Sequence, residues 1–571
     1  MTAKTHRFVS LFGMVSLAAL GVVIVFQAKL RAQQRGSHTI FYVHGRIYTN
    51  DPAHPWAEAM AVSDGKISCI GKMDHVLLDC GGSQEGVETV QLREQFVMPG
   101  FNDAHVHLGG AGADLLAVPL TGVPSAEEMQ KRVADAVAQH KEGEWITGAG
   151  WDHTLWIEKR FPNRQQLDAV APRNPVILTH ISGHVAVANS RALKSAEIDK
   201  NTPNPPGGEI EHDAFGEPTG MLKEYAAMSL VTVRIPDPPI DRRRRGIEMV
   251  LENLAKNGVT SVQDFSNWED FQVYKQLNDD GKLTVRITEW LPFNTPLNDL
   301  QNMRAQGGTT DPWVKTGALK AFTDGAMGSR TAAMLEPYSD DPSTSGILTN
   351  DPVKLREMAI ARDKAGFQLA FHAIGDRANR IALDVFEAVA KANAPRDRRD
   401  RIEHAQLVAP QDFVRFAKLN VIASMQPSHQ TTDMRWAEDR VGRERIKGAY
   451  AWATMQKNSV RLAFGTDYPV EPISPFRGLY ACVTRERAEG GPKNGWEPQE
   501  KISLEDCIRA YTSGAAYAQF EEGKKGELKA GEYADFIILS NDLTKIPSAQ
   551  YTKTQVLRTV VGGRTVFQSL H

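Results

Sequence analysis

The chain has 571 residues, a formal net charge of -3, 42% hydrophobic and 24% charged residues. That balance excludes an intrinsically disordered chain and gives no electrostatic footing for a nucleic-acid partner. The length suits two to four domains, or one large barrel with additions. The one dense basic run, Arg242 to Arg245, reads as the solvated start of a helix. Cys69, Cys80, Cys482 and Cys507 make neither a disulfide framework nor a metal-finger spacing, so cysteine usage leaves the redox compartment open.

At the N-terminus, Lys4 and Arg7 precede a stretch from Phe8 to Ala28 without a charge, and Lys29, Arg31 and Arg35 follow it. Residues 1–36 therefore read as a membrane anchor or a signal segment, which places the protein on a membrane or on its exported, periplasmic or extracellular side. Short β-like runs come next, Thr39 to Val43, Ala59 to Val62 and Lys66 to Ile70, with His44-Gly45 and Asp64-Gly65 as turns. The same texture returns at Ala534 to Leu539, Val556 to Val561 and Thr565 to Phe567. We expect 38–98 and 523–571 to form one composite β-sandwich.

Between them, apolar runs alternate with helical patterns, as in a parallel sheet with crossover helices. Eight runs can be counted: the approach to His105 and His107, Gly258 to Phe265, Leu283 to Leu291, Ala318 to Phe322, Gln368 to His372, Arg401 to His404, Val421 to Met425, and Arg461 to Gly465. Eight units predict an α/β fold, a (β/α)8 TIM barrel over 99–522, whose chemistry sits at the C-terminal ends of the strands. The piece at about 110–246 is too long for one crossover. It is expected to be an inserted subdomain after the first barrel strand, shaping the mouth of the barrel.

Pro99-Gly100-Phe101-Asn102-Asp103-Ala104-His105-Val106-His107 carries the strongest local signal. A His-x-His on a strand turns both imidazoles to one face, where they can share a metal. His372, His404 and Asp467 fall at the ends of later runs. Singly each has a bland reading, a packing histidine or a turn aspartate, but together they suit a zinc-like divalent ion.

With these residues the sequence resembles the amidohydrolase superfamily, in the branch similar to N-substituted formamide deformylases. The likeness runs from about residue 38 to the end, through Pro99 to His107, Leu319 to Ala332, the His372 and His404 segments, Gly465 to Pro469, and in the insert Gly183 to Ser190. The resemblance implies two divalent metal ions, zinc by donor type, with His105, His107 and Asp467 on one and His372 and His404 on the other. Lys320 matches a carboxylated lysine bridging both, with Lys315 as the weaker candidate and pairing with Asp324 as the ordinary alternative for Lys320. It further implies a hydrolase acting on a small-molecule substrate at a non-peptide C–N bond, amide, formamide or cyclic amide, by metal-activated hydroxide, with Asp467 moving protons. A lactone or ester hydrolase on the same site, or a non-catalytic membrane-held binding protein, are the alternatives. His184, Asn189, Trp151 and His429, with His153 behind them, are the candidates for lining the substrate pocket, with packing or loop-tethering in the insert as the alternative. A homo-oligomer stays open.

Overall fold

The computed structural model describes residues 39–570 apart from 83–86, 182 and 206. The proposed anchor or signal at 1–36 lies outside these residues; among the described ones no helix is long and apolar enough to cross a membrane.

The centre of the molecule is a parallel eight-stranded sheet in sequential order. Its strands are β1 (Phe101–Val106), β2 (Val259–Asp264), β3 (Arg286–Pro292), β4 (Val314–Phe322), β5 (Leu369–Ala373), β6 (Arg401–His404), β7 (Ile422–Met425) and β8 (Leu462–Phe464). Beyond β8 the sheet closes on itself. Asp467 N donates to His105 O at 2.8 Å and His107 N to Tyr468 O at 2.8 Å. All eight runs become barrel strands, and the largest shift is in β4, which begins at Val314 rather than Ala318. Residues facing the barrel axis include Trp290, Ala318 and Ala370, which pack together with Phe265. Bulky and small side chains so fill the interior, as a closed barrel of this size requires.

The crossover helices bury one face each. In the helix Asp376–Ala392, Ala378, Ala382, Leu383, Val385, Phe386 and Val389 are buried, following the helical spacing. Helix α1 (Leu108–Leu115) follows β1 and packs against α2 (Ile240–Lys256), which leads into β2. Their backbones nearly touch: a Cβ on Gly246 would stand 2.6 Å from Gly112 O. Arg242 to Arg245 lie in the first turns of α2, but the solvated reading fails for Arg243. It is buried and bonds Asp270 at 2.8 Å, tying α2 to the helix that follows β2.

Between α1 and α2 the chain builds a separate six-stranded sheet from Val118–Pro119, Ile146–Trp151, Val176–His180, Val185–Ala188, Glu209–His212 and Pro218–Lys223. It has its own apolar clusters, one around Trp151, Trp156 and Leu178, the other around Ile177, Leu193 and Leu222. The terminal segments make two further sheets. Phe96–Pro99 pairs antiparallel with Phe536–Leu539 in a six-stranded sheet, whereas Thr39–Val43, Ala59–Ser63 and Lys66–Gly71 belong to a four-stranded one. Arg286, at the start of β3, donates to Asp535 through Nε at 2.6 Å and Nη2 at 2.9 Å, both residues buried. This ion pair ties the terminal strands to the N-terminal end of the barrel.

The cysteines depart from the sequence reading. Cys69 pairs with Cys80 and Cys482 with Cys507, each closing a short local loop of 11 or 25 residues. A framework pattern across the chain is unnecessary when turns bring near neighbours together.

Gly246→Ala is expected to destabilise the protein by about 1–3 kcal/mol in urea unfolding, because the added methyl meets backbone rather than a side chain that can turn away. Helix propensity alone favours alanine by about 1 kcal/mol, so unchanged or higher stability would show that the helices separate freely.

Candidate metal centre at the barrel mouth

Every strand-end residue expected to carry chemistry, except Lys315, arrives at one place. His105 is in β1 and His107 just after it, Lys320 near the end of β4, His372 in β5, His404 at the end of β6, and Asp467 just past β8. The turn that presents Asp467 is held from below. Thr466 donates to Asp103 through N at 2.8 Å and Oγ1 at 2.5 Å, and a Cβ on Gly465 would lie 2.6 Å from His105 N. Asp467 (φ 60°) and His404 (φ 73°) both have left-handed backbone conformations. Such conformations cost energy for residues with a side chain and cluster where position matters more than comfort.

The imidazoles are oriented from outside the cluster. His105 Nδ1 donates to Glu403 Oε2 at 2.7 Å, His107 Nδ1 to Phe265 O at 2.9 Å, and His404 Nδ1 to Gln426 Oε1 at 2.8 Å. Each bond puts the ring proton on Nδ1 and leaves the Nε2 lone pair for the interior, the arrangement that prepares histidine for a metal. Burial, with a smaller contribution from Lys320, holds His105 down to about 4 and His372 down to about 3. Burial also holds His404 well below its usual range. All three are neutral at pH 7, the state a metal ligand needs.

Asp467 is the meeting point. Its Oδ1 lies 3.1 Å from His107 Nε2 and 3.7 Å from His105 Nε2, and its Oδ2 is 3.1 Å from His429 Nε2. Burial would raise this carboxyl, but the bonds from His107 and His429 and the other histidines carry it well below the ordinary range. Oδ1 is buried and makes no hydrogen bond of proper geometry. With His107 donating through Nδ1, a proton or a cation must lie between its Nε2 and this oxygen, and against burial the contact with Asp467 raises the imidazole of His107. The separations bracket the ~3.4 Å edge of a tetrahedron with zinc-like bond lengths to nitrogen and oxygen. The donors therefore fit a divalent ion. At the barrel mouth two groups have ligand atoms close enough to hold one: His105, His107 and Asp467, and His404, His429 and Asp467, the second only where His429 Nε2 gives up the proton it shares with Asp467.

His372 stands differently from the other candidates. Its ring lies 4.6 Å from that of His404, but its Nε2 points at Gly325 O, 3.1 Å away, and at Asp324 Oδ1 at 3.5 Å. His372 belongs to neither group, so the expected pairing of His372 with His404 on one ion is not brought together, and only its Nδ1 would be left to ligate. Asp324 itself accepts from the backbone N of Ala333, Ile374 and Gly375, so it is a clamp on the loops and not the partner of Lys320. Lys320 Nζ instead lies 3.0 Å from His105 Nε2, buried among Phe265, Trp290 and Phe322. Burial, partly offset by Glu403 and Asp467, brings its ammonium down to about 8. Lys315 is removed from consideration. It lies five residues earlier on β4, ~16 Å along a strand, and is ion-paired with Glu521.

Of the residues expected to line the pocket, only His429 reaches this cluster. Trp151 is buried in the insert, its Nε1 donating to Leu178 O at 2.9 Å. Asn189 is fully committed to the backbone of Val176, Ala192, Ala171 and Asn174. His184 is exposed and bonds Glu224 at 2.9 Å, while His153 stacks near Phe161 and His180. These residues build the insert.

Glu403 went unnoticed in the sequence. Wholly buried, it takes the Nδ1 proton of His105 and the guanidinium of Arg401 (Nε, 2.8 Å), which also bonds Ala104 O and Ser424 Oγ. Burial would raise it, but Arg401 and His105 bring it down to about 2. The available signal was two opposite charges at i and i+2 on one short strand, which share one face.

Residues 88–567 match the amidohydrolase family. The chain belongs to that family. It is 37% identical to the protein LONG AFTER FAR-RED 3 of Arabidopsis thaliana, covering 92% of this chain and 91% of that one. It is 28% identical to an N-substituted formamide deformylase of Arthrobacter pascens, over 92% and 97% of the two chains. A crystal structure of an uncharacterized metal-dependent hydrolase from Pyrococcus furiosus superposes with a TM-score of 0.74 at 30% identity, covering 88% of this chain and 99% of that one. An amidohydrolase-family hydrolase on a TIM barrel, with candidate metal-binding groups at its mouth, is thus established.

Glu403→Gln keeps the size of the side chain but takes the charge from both His105 and Arg401. Affinity for the metal is expected to fall about 10–100-fold in a chelator competition on the folded protein. Unchanged affinity would mean that Glu403 does not set the orientation of His105.

Proposed function

We propose that this amidohydrolase cleaves a small non-peptide C–N bond: an amide, a formamide or a cyclic amide. The observation that carries the reading is the Asp467 carboxylate, buried between His105, His107 and His429 with one oxygen toward the candidate ligands and the other toward a protonated imidazole. A divalent ion bound there supplies the positive charge that polarises a carbonyl and lowers the pKa of water toward ~7. Asp467 takes the proton released by the attacking water and delivers it to the departing nitrogen. His429, raised to about 9 because the contact with Asp467 outweighs burial, donates to Oδ2 and keeps the carboxylate turned inward. An amine is expelled only after protonation, whereas an alcohol leaves more readily. A site with a proton carrier beside the ligands therefore favours C–N over C–O cleavage.

Lys320 is assigned to the bridge between ions, as a carbamate. As an ammonium it competes for the lone pair of His105 Nε2, since it has donors only. Carboxylation turns the same chain end into an oxygen donor, and burial that lowers its pKa to about 8 makes the neutral amine accessible for that step.

Metal-reconstituted protein is to be screened against formamides, N-acyl amino acids, cyclic imides and lactones. Turnover is expected on C–N substrates, falling about 10²–10⁴-fold in Asp467→Asn. Turnover confined to lactones would refute the C–N reading. Lys320→Ala is expected to lose metal and turnover and to regain part of both with acetate or formate; two retained metals and near-normal turnover would refute the bridge.

A further inference from the structure

Away from the barrel, the edge of the four-stranded terminal sheet carries a second group of metal-type donors. Cys69 lies on the strand Lys66–Gly71, and Cys80 ends the helical turn His75–Asp79. His75 Nε2 faces both sulfurs, 3.6 Å from Cys69 Sγ and 3.8 Å from Cys80 Sγ. All three donor atoms fall within 4.8 Å of one another. On the other side of the ring, His75 Nδ1 donates to Asp79 Oδ2 at 2.9 Å. The spacing i, i+4 on one helical turn puts the two on the same face.

We propose that Cys69, His75 and Cys80 form a zinc site when their disulfide is reduced. Zinc-like bonds to sulfur and nitrogen at tetrahedral angles give a sulfur-to-nitrogen edge of ~3.6 Å, close to both separations already present. The bond to Asp79 fixes the proton on Nδ1 and leaves Nε2 as a lone pair toward the sulfurs, the carboxylate–histidine pairing found behind metal ligands. The Cα atoms of the cysteines stand 6.4 Å apart, so the sulfurs can separate to a tetrahedral edge by side-chain rotation. The side chains of His75 and Asp79 are 53% and 70% exposed, which leaves the fourth position to water.

The chemistry balances with a dithiol as reductant. It gives two electrons to the Cys69–Cys80 bond and becomes a cyclic disulfide, while the cysteines become two thiols; these lose two protons as thiolates when the ion binds. In an oxidising compartment the same residues persist as the disulfide. One sequence thus carries two alternative staples for this edge, chosen by the redox state around it.

The test is cobalt(II) titration of the full chain after reduction with a phosphine, which does not itself bind the ion as a thiol would. The barrel-mouth donors include no cysteine, so a near-ultraviolet thiolate-to-cobalt band reports a reduced cysteine pair, and its loss in Cys69→Ser separates this cluster from Cys482 and Cys507. The band is expected in reduced wild type, absent from oxidised protein, lost in Cys69→Ser, and displaced by zinc. Affinity should fall at least about 10-fold in His75→Ala and in Asp79→Asn. A reduced wild type without the band, or a band of wild-type affinity in His75→Ala, overturns the proposal. His75 is exposed, so its variant is not a folding test in disguise.

Discussion

The carboxylate of Asp467 is the constraint on which the rest of the site depends. Among the described residues it stands within ligand distance of three histidines from two places in the chain, His105 in β1 with His107 just after it, and His429 beyond β7. It reaches them because the chain after β8 turns through a left-handed residue and bonds back to β1, closing the barrel. Closure and site assembly are therefore one event. Without the hydrogen bonds from Asp467 N and His107 N the sheet would have two free edges, and the candidate ligands would sit on opposite sides of the gap.

Around this point the barrel interior is polar, and the charges that orient His105 are paired rather than isolated. Glu403 joins His105 to Arg401, and Arg401 lies over the Trp290 ring, 4.6 Å from its centroid. Such buried pairs contribute little net stability, since desolvation offsets most of the attraction. Their value here is orientation: they decide which nitrogen of each ring faces inward. Lys320 is the group left with an imidazole nitrogen instead of a carboxylate, and that frustration is what carboxylation would relieve.

The barrel and its strand ends were readable because they depend on local signals: apolar runs bounded by turns, and histidines or an aspartate where each run stops. Lys315 stood second to Lys320 in sequence, and five residues of strand rise separate them into the mouth and the opposite end. At Trp151 and Asn189 in the insert, pocket and packing readings stayed open for a physical reason. A tryptophan and an asparagine have the same composition whether they bind a ligand or satisfy buried backbone, and only the partners, Leu178 O for one and four backbone groups for the other, decide. Glu403 was hidden beside the more conspicuous His404, and Arg243 inside a basic run, because pairing across the fold leaves no trace in a single chain. The disulfides escaped for the same reason, their partners being fixed by turns.

The central claim is that these side chains form a metal centre around Asp467, and elemental analysis of the purified protein after metal-replete expression tests it most directly. The account predicts close to two divalent transition-metal ions per chain, zinc foremost. A content near zero that reconstitution does not raise would contradict it.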